Sequence, residues 1–173
     1  MTGYRNAALG DGAGSNIAVN NTVAVGTNAK ATGSSDVALG NTTLASGGQS
    51  VAAGDHSQAT GISSIAMGSS ARPPGANGTA IAVELGVGAA APGSNSIAVG
   101  SQFAGLGSTG TQSVAIGMSA GRFVSSNGNI AVGSFSGNTV SGYENVVVGY
   151  GARGNITAPP TLGAGWRAPA RGK

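Results

Sequence analysis

At 173 residues the chain is one domain in length, and its 33 glycines, with only 8% charged and 4% aromatic residues, leave too few bulky side chains for a thick core. The absence of cysteine excludes disulfides and thiolate metal ligands, no GXY period marks collagen, and no apolar run of about 18 residues marks a membrane-spanning helix. The formal charge of +3 resides in Arg167, Arg171 and Lys173, because Arg5, Lys30, Arg72, Arg122 and Arg153 balance Asp11, Asp36, Asp55, Glu84 and Glu144; a neutral body has no basic stripe for nucleic acid.

From the N-terminus onward one phrase recurs, an alanine between two aliphatic residues followed by glycine. It closes at Gly10, Gly26, Gly40, Gly54, Gly68, Gly100, Gly117, Gly133 and Gly149, and "AIAVE" puts Glu84 in the glycine position. The spacings, counting Glu84, are 16, 14, 14, 14, 16, 16, 17, 16 and 16 residues. Such a period over nearly the whole chain marks a solenoid. Val37–Ala38–Leu39 and Ile97–Ala98–Val99 alternate with period two, which predicts short strands. Helix is the poorer reading, since each interior glycine costs it about 1 kcal/mol. Small residues stand three places after the glycine (Ala13, Ala29, Thr43, Ser57, Ala71, Ala120, Ser136, Ala152). Seven places before it stand Gly33, Gly47, Gly61, Gly93, Gly110 and Gly142, with Asn77 in one copy, which predicts left-handed turns there. Each period then holds two short strands and two turns. About ten such coils would form a rod of about 50 Å at the strand spacing. A lone coil is too thin to stand, so neighbours must supply hydrogen bonds and a shared core.

Alternation sends the branched residues to one face and the alanine to the other. The expected roll core is therefore Val23, Val25, Val37, Leu39, Ile65, Met67, Ile97, Val99, Val114, Ile116, Ile130, Val132, Val146 and Val148. The expected opposite face is Ala8, Ala24, Ala38, Ala52, Ala66, Ala82, Ala98, Ala115 and Ala131, with Val147 departing. A face of small apolar residues predicts close packing against another surface, and a second copy of the chain is its simplest source.

"GTNAKATGSSDVALG" (26–40) and "GDHSQATGISSIAMG" (54–68) resemble head repeats of the trimeric autotransporter adhesins of Gram-negative bacteria, the YadA-like or haemagglutinin-repeat class. The likeness runs over about residues 6–154. It implies an all-β, left-handed parallel β-roll assembled side by side as a homotrimer, with the alanines as trimer-packing residues. It also implies a non-catalytic role in attaching the bacterium to host cells, extracellular matrix or other bacteria, on a cell surface where the full-length protein is anchored in the outer membrane. Signal peptide, heptad stalk and membrane barrel, the family's other parts, have no counterpart in this sequence, so a fragment of a longer protein is expected, with no membrane insertion of its own.

Residues 1–156 are read as the roll and 157–173, "TAPPTLGAGWRAPARGK", as an irregular tail: a cap, a frayed end or artificially added sequence. The later coils are longer, near "ARPPGANGT" (71–79), "LGVGAAAPGSN" (85–95), "FAGLGSTGTQ" (103–112) and "GRFVSSNGN" (121–129), and Phe103, Phe123, Phe135, Tyr143 and Tyr150 cluster in this later half of the chain. Two readings stand for these aromatics: filling of a wider roll, or a receptor-contact surface on exposed turns. Glu84 predicts a distorted turn or an interchain contact.

Enzyme and cofactor motifs are weak. "GYGARG" (149–154) has the glycines of a dinucleotide loop but neither the following helix nor the acidic residue about 20 positions on. "DHS" (55–57) has the residue types of a hydrolase triad, but consecutive residues cannot form its hydrogen-bond chain. His56 is the single histidine, so no metal site is expected. A solenoid acyltransferase would repeat hexapeptides, and an ice-binding face would need a Thr-x-Thr ladder, which only Thr109–Thr111 offers. A phage or other fibre built from the same phrase is the alternative to an adhesin. No catalytic, cofactor or metal residue is assigned, and no single receptor-contact residue stands out.

Overall fold

The computed structural model describes residues 2–72, 79–84, 93–152, 154–157 and 162–165. Among them lie fourteen short strands, and every pairing between them is parallel. The larger sheet has eleven strands, one from each phrase: β1 (Ala7–Leu9), β2 (Val23–Val25), β4 (Val37–Leu39), β6 (Val51–Ala53), β8 (Ile65–Met67), β9 (Ile81–Glu84), β10 (Ile97–Gly100), β11 (Val114–Ile116), β12 (Ile130–Val132), β13 (Val146–Val148) and β14 (Leu162–Ala164). A second sheet joins β3 (Lys30–Ala31), β5 (Leu44–Ala45) and β7 (Gln58–Ala59). The strands follow sequence order within each sheet, so the chain winds as a parallel β-solenoid, as the repeat implies.

Register is phrase upon phrase. Ala24, Ala38, Ala52, Ala66, Ala82, Ala98, Ala115 and Ala131 are consecutive partners, and Val147 and then Gly163 continue the column. β14 falls inside the segment expected to be an irregular tail. "LGAG" (162–165) is an eleventh phrase, with glycine in the alanine place and Gly165 at φ 119°, like the other closing glycines. Its missing alanine hid it in the sequence. The extra residues expected in 71–79 and 85–95 (Asn77 among them), and most of the tail including Trp166, lie largely outside the described residues.

The facing of the phrase is the reverse of the expectation. Ala24, Ala38, Ala52, Ala66, Ala82 and Ala98 are wholly buried within a single chain, and Ala115 and Ala131 nearly so. Only Ala8, in the first strand, is exposed. The residues expected in the core flank these alanines and are half-buried or exposed: Leu39, Met67, Ile116 and Val148 keep 39%, 46%, 39% and 41% of their surface. The physical reason is width. Across the coil, Ala29, Ala31, Ala45, Ala59 and Ala71 meet the phrase alanines in one cluster, and a coil this tight has room inside for methyl groups only. Branched side chains are forced outward. The alanines are the roll core, which removes them as trimer-packing residues.

Glycine has two separate tasks. At the closing position Gly40 has φ 129°, and a Cβ there would stand 2.9 Å from the backbone of Gly54 in the next coil. Both conformation and stacking demand glycine. Gly47, expected at a left-handed turn, is not left-handed. A Cβ on it would instead run into the Gly61 carbonyl, so it is needed for close approach alone. The left-handed places fall two residues after the closing glycine (Asn28, Thr42, His56, Ser70) and just before each polar residue that precedes a strand (Asn21, Ser35, Gln49, Ser63). Glu84 itself lies in β9, where it pairs with Gly100.

A buried polar residue precedes most strands of the larger sheet, and several of these tie coil to coil. Asp36 accepts from the Ser50 N–H and hydroxyl, both at 2.8 Å, and from the Gly33 N–H at 2.7 Å. Asn129 accepts from the Asn145 N–H and amide at 3.0 Å, and the Ser113 N–H donates to Ser96 Oγ at 3.1 Å. The backbone donors of Ser50, Ser113 and Asn145 are thus met by the side chain one coil earlier, whereas those of Asp36 and Ser64 go to the Gly33 and Gly61 carbonyls of their own turns.

Candidate partner-binding surfaces

Three surfaces stand out on the solenoid. The first is the outer face of the larger sheet. Val23, Val37, Val51, Ile65, Ile81, Ile97, Val114, Ile130 and Val146 form one register column there, and Val25, Leu39, Ala53, Met67, Val83, Val99, Ile116, Val132 and Val148 form a second. Partial burial of so regular an aliphatic face leaves a continuous apolar surface on a single chain.

The second is the aromatic edge of the later coils. Phe103, Phe123, Phe135, Tyr143 and Tyr150 are 41%, 51%, 39%, 56% and 52% exposed. They do not fill the wider roll; Val124, Val140 and Ile156 do, clustered with Val147 and Ala152. The sequence signal for this is a glycine four places after the closing glycine and an aliphatic residue three further on, as in Gly117–Gly121–Val124 and Gly133–Gly137–Val140. Phe103 and Phe123 hold φ 75° and 55°, left-handed conformations unusual for bulky residues. Between them lies the Arg122 guanidinium, 5.5 Å from one ring centre and 5.1 Å from the other. Arg122 Nε is buried without a hydrogen-bond acceptor. Tyr150 meets Phe135 edge to face at 6.1 Å.

The third surface is the exposed pair Asp55–His56. His56 Nδ1 is 2.9 Å from Asp55 Oδ2, and the Asn41 amide donates to Asp55 Oδ1 at 2.8 Å. The Asn41 hydrogen bond, with His56 second, holds the Asp55 carboxyl below the usual carboxylate value. Ser57 is buried and gives its hydroxyl to the Gly54 carbonyl at 3.0 Å, so the "DHS" stretch is not arranged as a nucleophile and base. At "GYGARG", Gly149 and Gly151 are the turn after β13, and the chain goes on to bridge Ile156 with Val140. Among the described residues no three His, Asp or Glu side chains gather as metal ligands, and no helix is long and apolar enough to cross a membrane.

The family model described as YadA head domain repeat (2 copies) matches residues 20–43, 45–72 and 85–102. Those segments are similar to YadA head repeats. The matched segments hold the phrases of β2, β4, β6, β8 and β10, and the later coils with their aromatics lie beyond them. A crystal structure of the collagen-binding domain of the Yersinia adhesin YadA is similar at 18% identity and a TM-score of 0.46, over 99% of this chain and 73% of that one. Among curated proteins no sequence matches.

Proposed function

We propose that the chain is the non-catalytic adhesive head of a bacterial surface protein, that it works as a homotrimer, and that it attaches the cell to extracellular matrix or a host-cell receptor. The observation that carries the trimer is the outer face of the larger sheet. Two aliphatic columns run its whole length, and three copies set side by side would bury them around a common axis. The alanine columns, enclosed within each coil, keep the coil thin and leave this face flat. Closed symmetry buries such a face without an open end, whereas a non-closing contact would polymerise.

Receptor contact falls to the aromatic edge, where Phe103, Arg122 and Phe123 form a rigid, exposed group of the residue types that dominate binding interfaces. Sedimentation equilibrium across a dilution series tests the assembly: a stable trimer is expected, and Ile97→Asp with Val114→Asp should yield lower-mass species. A wild-type monomer would sink the trimer reading. Binding to immobilised collagen, laminin and fibronectin tests the edge. Phe123→Ala should weaken whichever attachment exists by at least about tenfold, a loss of about 1.4 kcal/mol.

A further inference from the structure

The left-handed position ahead of the polar ladder carries a side chain coil after coil: Asn21, Ser35, Gln49, Ser63, Asn95, Gln112 and Glu144, with φ between 54° and 62°. Gly128, at φ 72°, is the member of this column that has none. Its coil lies between those of Gln112 and Glu144, which stand two strand steps apart, about 9.6 Å. The gap opens into a groove of about 460 Å³, lined by Gln112, Asn127, Gly128, Tyr143 and Glu144 together with Ser125 and Ser126. That volume is within the range of small-ligand sites, about 300–1,000 Å³.

The groove is built on fixed backbone. The Gln112 N–H donates to the Ser94 carbonyl at 3.1 Å, the Gly128 N–H to Thr111 at 3.0 Å and the Glu144 N–H to Asn127 at 3.1 Å. Asn127 Oδ1 accepts from the Thr111 N–H at 2.9 Å, which orients the side chain and leaves its amide hydrogens to donate. Tyr143 keeps 56% of its surface. Glu144 forms no ion pair among the described residues. The walls therefore offer one ring face, one carboxylate acceptor and two amides, with a single negative charge.

We propose that this notch binds a neutral oligosaccharide. One sugar ring sits over Gly128 with its apolar face against Tyr143, and its hydroxyls are shared between the Glu144 carboxylate and the amides of Gln112 and Asn127. Aromatic face, paired amides and carboxylate match the alternating C–H and O–H surfaces of a pyranose. The unpaired carboxylate turns away sialic acids and sulfated sugars, since it would place like charges together. A folded protein partner needs a wider and drier surface than a notch one coil across.

The test is saturation-transfer NMR on the chain in its native assembly, with maltotriose, chitotriose and N-acetyllactosamine as probes and sialylated and sulfated lactosamine as controls. Transfer to at least one neutral probe is expected, with affinity reduced tenfold or more in Tyr143→Ala and Glu144→Gln. Gly128→Gln installs the side chain that Gln112 and Gln49 already carry at the same backbone conformation. It should abolish transfer by filling the notch, with thermal unfolding by circular dichroism little changed. If that variant does not fold, Tyr143→Ala decides. Absence of transfer to every neutral probe, binding that survives the decisive variant, or binding of the anionic sugars alone overturns the proposal. The notch rests on neither the trimer nor the matrix partner. Matrix attachment lost in Phe123→Ala while sugar binding persists separates the two surfaces.

Discussion

The early coils and the late coils solve one packing problem at two widths. Between Gly26 and Gly68 the period is 14 residues, both walls are strands, and the interior is alanine against alanine. From Gly117 onward the period is 16, and the extra residues form a corner that begins at a left-handed glycine and ends on an inward aliphatic side chain. Gly121 and Gly137 make those corners at φ 60° and 59°. The first coil, also 16 residues, does the same with Gly14 and buried Ile17. The second wall of the late coils still bonds coil to coil, as from the Gly121 N–H to the Ser136 carbonyl at 2.9 Å, but it no longer forms a ladder beyond the Val140–Ile156 bridge. An interior slit of about 10 Å³ remains there, bordered by Ala115, Val124, Ala131, Val140 and Val147. Two added residues thus exchange a methyl-only core for a conventional one, and turn a flat second wall into corners that can display aromatics.

Substitution of the inner alanine should expose this difference most sharply. Ala52→Val pushes two methyl groups into the narrow interior and should cost about 3 kcal/mol, at the upper end of overpacking. Ala131→Val, beside Val147 and the slit, should cost less than about 1.5 kcal/mol. Equal losses in urea unfolding would show that coil width does not govern the core.

Next in size is the ladder of buried polar residues. Asp36→Ala strands the Ser50 and Gly33 donors and should cost about 1–3 kcal/mol. Asp36→Asn should recover the share due to the Ser50 donors, because Asn129 Oδ1 performs that acceptance in the late coils, while the Gly33 N–H stays without its acceptor. If the two variants lose stability equally, the Ser50 donors contribute nothing and the second carboxylate oxygen holds this coil. Val140→Ala should cost about 2 kcal/mol through the cavity it leaves, and hydrogen exchange should show the loosening confined to the late coils.

The smallest effect is electrostatic. The Asp55 pKa lies below its unfolded value, so its contribution is fully present above the ordinary carboxylate pKa of 3.8. That contribution vanishes as pH falls through the lower folded value. The difference in melting temperature between wild type and Asp55→Asn should therefore be constant near neutrality and close only in acid. A difference that instead changes near neutrality would overturn the assignment to the Asp55 carboxylate.

Repetition made most of the fold legible. The phrase fixes strand positions, and in-register repeats of nearly equal length can stack only as parallel coils. The head-repeat resemblance followed from the same residues. Even the width of the late coils is written in Gly117–Gly121–Val124 and Gly133–Gly137–Val140, although that signal passes unnoticed when attention stays on the closing glycine. "LGAG" at 162–165 was hidden because Gly163 stands where the other phrases have alanine or, once, valine.

Which face of the phrase lies inside was not legible. Alternation separates Val37 and Leu39 from Ala38 but is symmetric between inside and outside, and the usual rule places the larger apolar side chains within. Only the closed coil breaks that symmetry. With walls near enough for Ala38 to meet Ala31 and Ala45, there is no volume for a branched side chain, so bulk goes outward and a second apolar surface is created. The same holds for the Gly128 notch. Composition shows a glycine among many, and only the stacking of Gln112, Gly128 and Glu144 in one column makes the missing side chain a gap. Chemistry along the chain determined the strands, whereas the distance across the coil decided what they bury and what they present.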